Sequence, residues 1–319
     1  YMNGTFVPEK DAKVSIFDSA LMFGDMIFEM TRSFGRVQFR LEEHIARMYA
    51  GIKMLKVPIQ MTPEEMEQAV YQTIEANESS FGEMDEHRVM IDVTRGLLSM
   101  YANVFGGNTE PLVIISVFPV KWTVAPLTPL YDTGVHAVIP SQRAIPADLL
   151  EPKIKNRSRM HYLVANLEVA LVDDSSAWAL LLDPDGFLTE GTGSNFFLVK
   201  EGKLYTPEPR NILRGTRRKY TMQLARQHGL EVIECNLNTY DAITADEAFF
   251  TSTAFTLMPC VKVNGCTLGD GRIGPVTQQL IEAWNDLVGV DFIAQAKGYL
   301  AEMGSEAYQG TTMYRFGKR

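Results

Sequence analysis

Apolar side chains return at Ile45, Met48, Ile52, Met54 and Leu55 in the stretch LEEHIARMYAGIKML, a helical repeat that predicts an amphipathic helix. The next stretch, TPEEMEQAVYQTIEAN, predicts a second helix, because Thr62 can cap it and Pro63 suits its first position. Upstream the period shortens to two. KVSIF alternates, DSALMFGD interrupts and MIFEMTRSF alternates again before Gly35-Arg36, so residues 4–34 read as hairpin material. HRVMIDVTRG and PLVIISVFPV are short and β-branched and predict two more strands. Together these elements predict a small α+β domain over residues 1–121.

KWTVAPLTPLYDT carries two prolines and no periodicity, so residues 122–133 read as a linker. Beyond it, residues 134–319 alternate between the two periods. Strands are expected in GVHAVIPSQ, AWALLLD, FLTEGTGSNFFLVKEGKLYTP, LEVIECNL and EAFFTSTAF, and helices in HYLVANLEVALVDD, RKYTMQLARQHG and GPVTQQLIEAWNDLVGV. CVKVNGCTL reads as a hairpin turning on Asn264-Gly265. The expected fold class is therefore two-domain α+β or α/β, with the larger domain second.

Composition then removes function classes. The chain of 319 residues is 46% hydrophobic and 22% charged, with a formal net charge of -9. No apolar run approaches the roughly 18 residues that span a bilayer, so no membrane segment is expected. The acidic balance argues against a nucleic-acid footprint. Cys235, Cys260 and Cys266 are too few and too scattered for a disulfide framework, and none has metal-ligand spacing; with no signal-peptide pattern visible, a reduced cytoplasmic compartment is expected. The five histidines include no HExxH, so no metal site is expected, and the absence of GxSxG weakens a hydrolase reading. GDGRIG, Gly269 to Gly274, fits a dinucleotide fingerprint, yet it follows a hairpin instead of a buried parallel strand. It reads as a turn before a helix that starts at Pro275.

The stretch EPKIKNRSRMHY is more informative, since it places Lys153, Lys155, Arg157 and Arg159 at every second position. Extended, these cations share one face, where mutual repulsion makes a lysine nucleophilic. The alternative is a solvated edge strand that blocks aggregation. Ile154 beside Lys155, with an amphipathic helix following at once, favours a lysine presented inward. In LTEGTGSNFFLV, Glu190 precedes a tight Gly-Thr-Gly turn that lets backbone approach a ligand; the alternative is a surface turn acid. A lysine for an aldehyde and a glutamate for a pyridinium nitrogen suit pyridoxal phosphate. Its phosphate needs donors, which LRGTRR offers at a helix start and TSTA offers as hydroxyls at a strand end.

With these blocks in place, the chain resembles the fold-type IV pyridoxal-phosphate enzymes, the class IV aminotransferases that include branched-chain and D-amino-acid aminotransferases. The resemblance covers nearly the whole chain, from NGTFVPEKDAKVSIFDSALMFGDMIFEM through FRLEEHIARM, LTEGTGSNFFLV, LRGTRR and TSTAFTLMP to GPVTQQL. It implies a small α+β domain and a larger one with a mixed sheet or barrel. It also implies that Lys155 is the Schiff-base lysine and proton carrier, that Glu190 pairs with the pyridine nitrogen, and that Arg47, Gly215, Thr216 and Thr253 hold the phosphate. The resemblance further implies a homodimer.

Several positions depart from the family pattern. Met160 stands where branched-chain enzymes place the tyrosine for the cofactor phenol oxygen, so Tyr162 serves only with a two-residue shift. Arg217 occupies a place where many relatives have threonine. VTRGLLSMYAN has Met100 and Ala102 where D-amino-acid enzymes carry carboxylate-binding arginine and histidine, and the first hairpin offers Phe23 in place of a tyrosine. Phe23, Phe28, Met30 and Met100 are expected to line an apolar pocket. The substrate carboxylate is expected on backbone donors near Thr253, Ala254 and Phe255, or on cations such as Arg88, Arg143, Arg157 and Arg159. Lys153, Arg157 and Arg159 are expected to shape the field of Lys155 or to meet acidic substrates.

The expected activity is transfer of an amino group between an apolar, branched-chain-like amino acid and a 2-oxo acid such as 2-oxoglutarate. An (R)-amine or D-amino-acid transaminase and an aminodeoxychorismate lyase share the framework. A non-enzymatic globular binder, with Glu190 a turn residue, is the reading from a different class.

Overall fold

The computed structural model describes residues 1–105, 109–172 and 176–304. Asp173 and Asp174 and the side chain of Ala102, all invoked above, lie outside the described residues. The chain divides into two compact units: Tyr1–Val120 together with Lys153–Arg159, and Lys121–Pro152 together with Met160 onward.

The first unit opens on α1 (Ser19–Phe23), where a strand break was expected and KVSIF forms no strand. The cause is local chemistry: the Asp18 carboxylate accepts the Ala20 N–H at 2.8 Å, and Gly24 leaves the helix at φ 69°. There follow β1 (Met26–Phe34), β2 (Val37–Gln38), α2 (Leu41–Leu55), α3 (Pro63–Asn77), β3 (His87–Thr94), α4 (Ser99–Phe105) and β4 (Leu112–Pro119). Thr62 and Glu65 close a reciprocal capping box on α3. The strands form one antiparallel sheet in the order β2-β1-β3-β4.

Strand alternation gives this sheet two different faces. One carries Ile27, Val89, Ile91, Val93, Val113 and Ile115 and packs on Leu41, Ile45, Met48 and Ile52 of α2 and Met66 and Val70 of α3. The other carries Phe28, Met30 and Arg32 on β1 directly opposite Asp92, Met90 and Arg88 on β3. Ile154 belongs to the first core. Gly51 of α2 makes room for it, since a Cβ there would lie 3.3 Å from Ile154 Cγ2.

On the helical face one charge is fully buried. Glu29 accepts from Arg47 Nε at 2.6 Å and Nη2 at 2.8 Å, and lies 2.8 Å from His44 Nδ1. Burial alone would raise its carboxyl, but the charges of Arg47 and His44 outweigh that and hold it well below the usual carboxylate range.

The second unit begins with α5 (Lys121–Val124) and α6 (Leu130–Thr133), so the expected linker of residues 122–133 is folded. Its apolar residues explain the difference: Val124, Ala125, Leu130 and Tyr131 are buried, and the prolines fit helix starts instead of breaking an extended chain. After these come β5 (Val135–Val138), α7 (Met160–Val169), β6 (Ala177–Leu182), β7 (Leu188–Gly191), β8 (Ser194–Lys200), β9 (Lys203–Pro207) and α8 (Thr216–Gln227). The remainder is β10 (Val232–Cys235), α9 (Thr239–Ile243), β11 (Glu247–Ser252), β12 (Thr256–Val263), β13 (Cys266–Thr267), α10 (Pro275–Val288) and α11 (Phe292–Met303).

The sheet runs β10-β9-β8-β11-β12-β5-β6-β7, and β7 also pairs with β8. That extra pairing closes β8, β11, β12, β5, β6 and β7 into a barrel. Trp178 on β6 touches Phe250 on β11, two strands that are not neighbours, with ring centroids 5.7 Å apart; these rings fill the barrel interior together with Phe196. The alternate residues, Phe197 and Phe249, stack on the outer face.

Glu29 supports the first unit only while it is ionised and paired. Glu29→Gln is expected to cost about 3–5 kcal/mol at neutral pH, because it leaves buried cations without their partner. A carboxyl held low in the folded state contributes stability above its unfolded value, near 4.5, and loses that contribution as pH falls through its folded value. Denaturant unfolding of both proteins between pH 3 and pH 7 should therefore show a gap that is constant above about pH 5 and narrows as the pH falls below about 4.5.

Candidate active site

Lys155 belongs to the first unit, whose strand β1 holds it through the backbone. Phe28 N–H donates to Lys155 O at 2.9 Å, Arg157 N–H donates to Met26 O at 3.0 Å, and Asn156 bridges to Ile27. The stretch is thus a short extension of the sheet, not a long edge strand. Period two still operates across it. Lys155 Nζ lies 4.9 Å from the centroid of the Phe28 ring, and the guanidinium carbons of Arg157 and Arg159 lie 3.8 and 4.7 Å from the same centroid. Arg157 also donates through Nη2 to Asp92 Oδ1 at 3.0 Å.

Farther along this face Arg32 and Arg88 stand directly opposite each other. Arg88 lies over Phe118 and donates to Met30 Sδ, and its Nε is buried with no hydrogen-bond partner. Burial, and secondarily the charge of Arg32, push Arg88 down to about 10. Ser116, opposite Met90, also has a buried hydroxyl without a partner. Two arginines at paired register positions, with Arg88 Nε and the Ser116 hydroxyl unsatisfied, are an arrangement that can accept an anion. Arg47 lies on the helical face, with Nε and Nη2 on Glu29. Of the expected pocket residues, Phe28 is buried, whereas Phe23 and Met100 are exposed at 68% and 70%.

In the second unit the barrel seam positions Glu190. Glu190 on β7 faces Asn195 on β8, which faces Thr251 on β11, so one row crosses three strands on the outer face shared with Phe197 and Phe249. The Glu190 carboxylate is nearly buried and accepts three hydrogen bonds. Tyr162 Oη of α7 donates to Oε1 at 3.0 Å, and Asn195 Nδ2 and Leu213 N–H donate to Oε2 at 2.9 and 3.1 Å. Asn195 Nδ2 also donates to Leu213 O, and a Cβ at Gly215 would collide with its Oδ1. Gly215 is therefore required where the loop crosses the seam. Tyr162, expected on the cofactor phenol oxygen, is placed on Glu190.

Leu213 leads into α8, whose N-cap is Gly215, with no side-chain cap and no acidic residue in its first turn. Thr216 and Arg217 start the helix, both buried, with Arg217 5.1 Å from the Trp284 ring centroid. The contrast with α10 is instructive. There Glu247 takes Val276 N–H, Thr277 N–H and the Thr277 hydroxyl, so the helix start after GDGRIG already holds an anion of the protein's own. Thr253, Ala254 and Phe255 form the turn between β11 and β12. Thr256 closes that turn at φ 64°, a strained value for a β-branched residue, and its buried hydroxyl and that of Thr251 have no partner.

Sequence reasoning missed Asn195, the Leu213 N–H, Asp92 and the Arg32–Arg88 pairing. Only register reveals the last, although the alternation of MIFEMTRSF and HRVMIDVT places both arginines on definable faces. Among the described residues no group of three or more His, Cys, Asp or Glu could hold a metal, and no helix is long and apolar enough to cross a membrane.

The chain is 36% identical over 290 residues to the "Putative branched-chain-amino-acid aminotransferase" of Methanocaldococcus jannaschii, covering 90% of this chain and 95% of that protein. It is 27% identical to the D-alanine aminotransferase of Bacillus licheniformis, covering 87% and 93%. The branched-chain amino acid aminotransferase of Thermobaculum terrenum, solved in its PLP-bound holo form, superposes with a TM-score of 0.77 at 26% identity, covering 94% of this chain and 95% of that one. The family profile of class IV amino-transferases matches residues 26–263, three quarters of the sequence, and the chain belongs to that family.

Proposed function

We propose that the chain is a pyridoxal-phosphate-dependent aminotransferase that moves an amino group between a branched-chain-like, apolar amino acid and a 2-oxo acid such as 2-oxoglutarate. The observation that carries this reading is the Glu190 carboxylate, fixed by three donors at the barrel seam beside an uncapped helix start. The residues fit the cofactor. Glu190 suits its ring nitrogen, and the Gly215 and Thr216 backbone and the turn at Thr253 suit its phosphate; Arg47, assigned to the phosphate by resemblance, has Nε and Nη2 on Glu29. Lys155 suits its aldehyde.

Bound pyridoxal phosphate supplies an aldehyde for the substrate amine and a ring that accepts the electron pair left when the α-proton departs. Lys155, pinned by β1, holds the aldehyde and then, as a free amine, moves a proton at the substrate α-carbon. Glu190 keeps a proton on the ring nitrogen, and its position does not drift because Tyr162, Asn195 and Leu213 hold both oxygens. The Arg32–Arg88 pair, with Ser116, takes a carboxylate of an acidic acceptor. Phe28, Met30 and Met90 on the same face suit an apolar donor side chain. Ala254 and Phe255 are assigned to the substrate as well.

The chain is further proposed to act as a homodimer in the cytoplasm. Apolar residues stay exposed on two elements: Leu21 and Phe23 on α1, and Met160, Val164 and Leu167 at helical spacing on α7. An active monomer in sedimentation at working concentration would contradict the assembly.

Lys155 is tested by colour. The protein should bind pyridoxal phosphate with a visible band that borohydride bleaches, leaving the label on Lys155. Lys155→Ala should abolish transamination while Lys153→Ala keeps most of it, and Glu190→Gln should retain cofactor but lose turnover by about 10³-fold. Comparable losses from both lysine variants would undo the assignment.

Acceptor class is tested at Arg88. Arg88→Met should raise KM for 2-oxoglutarate about ten- to a hundredfold, equivalent to roughly 1.4–2.8 kcal/mol, and change KM for 4-methyl-2-oxopentanoate little. A donor panel of leucine, D-alanine and (R)-1-phenylethylamine decides stereochemistry. Activity on D-alanine without leucine turnover would favour the D-amino-acid reading, and activity on the amine alone the (R)-amine reading.

A further inference from the structure

We propose that Asn156 is the positioning residue of Lys155: its side-chain amide fastens the backbone two residues to either side and so fixes the point from which the lysine side chain departs. The proposal rests on the assignment of Lys155 as the cofactor lysine and adds the group that places it.

The need for such a group follows from how little backbone pairing holds the segment. Strand β1 pairs with β3 over residues 26–32, so Lys153–Arg159 is left the other edge of β1, and there the pairing is a single bridge between Ile27 and Asn156. Its two hydrogen bonds, Phe28 N–H to Lys155 O at 2.9 Å and Arg157 N–H to Met26 O at 3.0 Å, fix the register. One bridge still lets the residues on either side pivot, because every residue keeps two soft backbone dihedrals.

The Asn156 side chain removes that freedom. Its Nδ2 donates to Ile154 O at 3.1 Å, and its Oδ1 accepts the Ser158 N–H at 2.9 Å. The second bond closes an Asx turn, in which a side-chain carbonyl stands in for a backbone one and turns the chain two residues on. The Asn156 carbonyl is used as well, accepting from Arg159 Nε at 2.8 Å. Both ends of this staple are anchored elsewhere. Ile154 is buried in the core of the helical face, and Ser158 Oγ donates to Gly24 O at 3.1 Å, at the end of α1. Ile154 lies with Ile27 in that core and Asn156 stands opposite Ile27, whereas Lys155 Nζ is on the Phe28 face, 4.9 Å from the ring centroid. The amide therefore grips Ile154 O and Ser158 N–H, backbone atoms on either side of Lys155, from the side that faces away from the Phe28 ring.

Placement matters because capture of the cofactor forms a bond. The Lys155 amine adds to the aldehyde carbon, a C=N bond forms, and the aldehyde oxygen leaves as water. A misplacement of about 1 Å in such a step costs on the order of a hundredfold in rate. Pyridoxamine phosphate carries an amine in place of the aldehyde and forms no bond to lysine, so it reports binding without placement.

The test compares the two cofactor forms on the full-length apoenzyme. Growth of the visible band gives the rate of pyridoxal phosphate capture, and calorimetry gives the Kd of pyridoxamine phosphate. Asn156→Ala should slow capture about ten- to a hundredfold while changing the Kd of pyridoxamine phosphate less than about twofold. Asn156→Ser keeps a hydroxyl for the Ser158 N–H but is too short to reach Ile154 O. It should show the same split to a smaller degree, and it carries the test if Asn156→Ala does not fold. Ser158→Ala keeps the N–H that Asn156 binds and removes only the bond to Gly24, so its capture rate should stay close to wild type. Capture at the wild-type rate in the folded Asn156 variants, equal losses for both cofactor forms, or a loss in Ser158→Ala as large as in Asn156→Ala overturns the proposal. Borohydride, which reduces the C=N bond, followed by peptide mass spectrometry separates it from the reading on which it rests. Label on Lys155 with unslowed capture in the Asn156 variants rejects the staple alone, and label elsewhere rejects the lysine assignment.

Discussion

Two backbone hydrogen bonds, from Phe28 N–H to Lys155 O and from Arg157 N–H to Met26 O, attach a distant stretch of chain to the first strand of the small sheet. Lys155 is therefore not carried by a free loop. Ile154 anchors the same stretch in the core beneath, in the space that Gly51 leaves on α2. A strand supported on its far side by two helices is a stiff base for the side chains that project from it.

The barrel seam does the same for the carboxylate. Pairing of β7 with β8 closes the sheet, and the residues that meet there are Glu190 and Asn195. Closure and site are one event, because the asparagine that faces the glutamate across the seam also donates to Leu213 O and excludes any Cβ at Gly215. The start of α8 is thereby set against the carboxylate. A change that loosens the seam moves both at once.

Charge is used in two ways in the small sheet. On the helical face Glu29 is buried with Arg47 and His44, each polar group answering another, and the cluster fastens α2 to β1. On the opposite face Arg32 stands against Arg88 in the register, and Lys155, Arg159 and Arg157, the last paired with Asp92, lie around the Phe28 ring. The same strand thus carries the Glu29 ion cluster on one side and Phe28, Met30 and Arg32 on the other, and strand alternation keeps them apart.

The sequence by itself determined the helices α2 and α3, the strands of MIFEMTRSF, HRVMIDVTRG and PLVIISVFPV, the Asn264-Gly265 hairpin and the helix after GDGRIG, because period, caps and turn chemistry are local properties. It also singled out Lys155 and Glu190 as candidates, since a lysine among cations and a glutamate before a glycine turn are unusual in composition and in spacing. Local signals misread the chain where tertiary burial won: residues 122–133 have the composition of a linker but fold as short helices around Val124, Leu130 and Tyr131, and residues 13–17 alternate without a strand to pair with. Only the tertiary structure decided that Lys153–Arg159 belongs to the first unit, that Arg32 stands opposite Arg88, and that Asn195 and Leu213 hold Glu190. Each of these is a register or a closure between residues far apart in the chain, and register is settled by the whole sheet finding its buried face, which no short window of sequence contains.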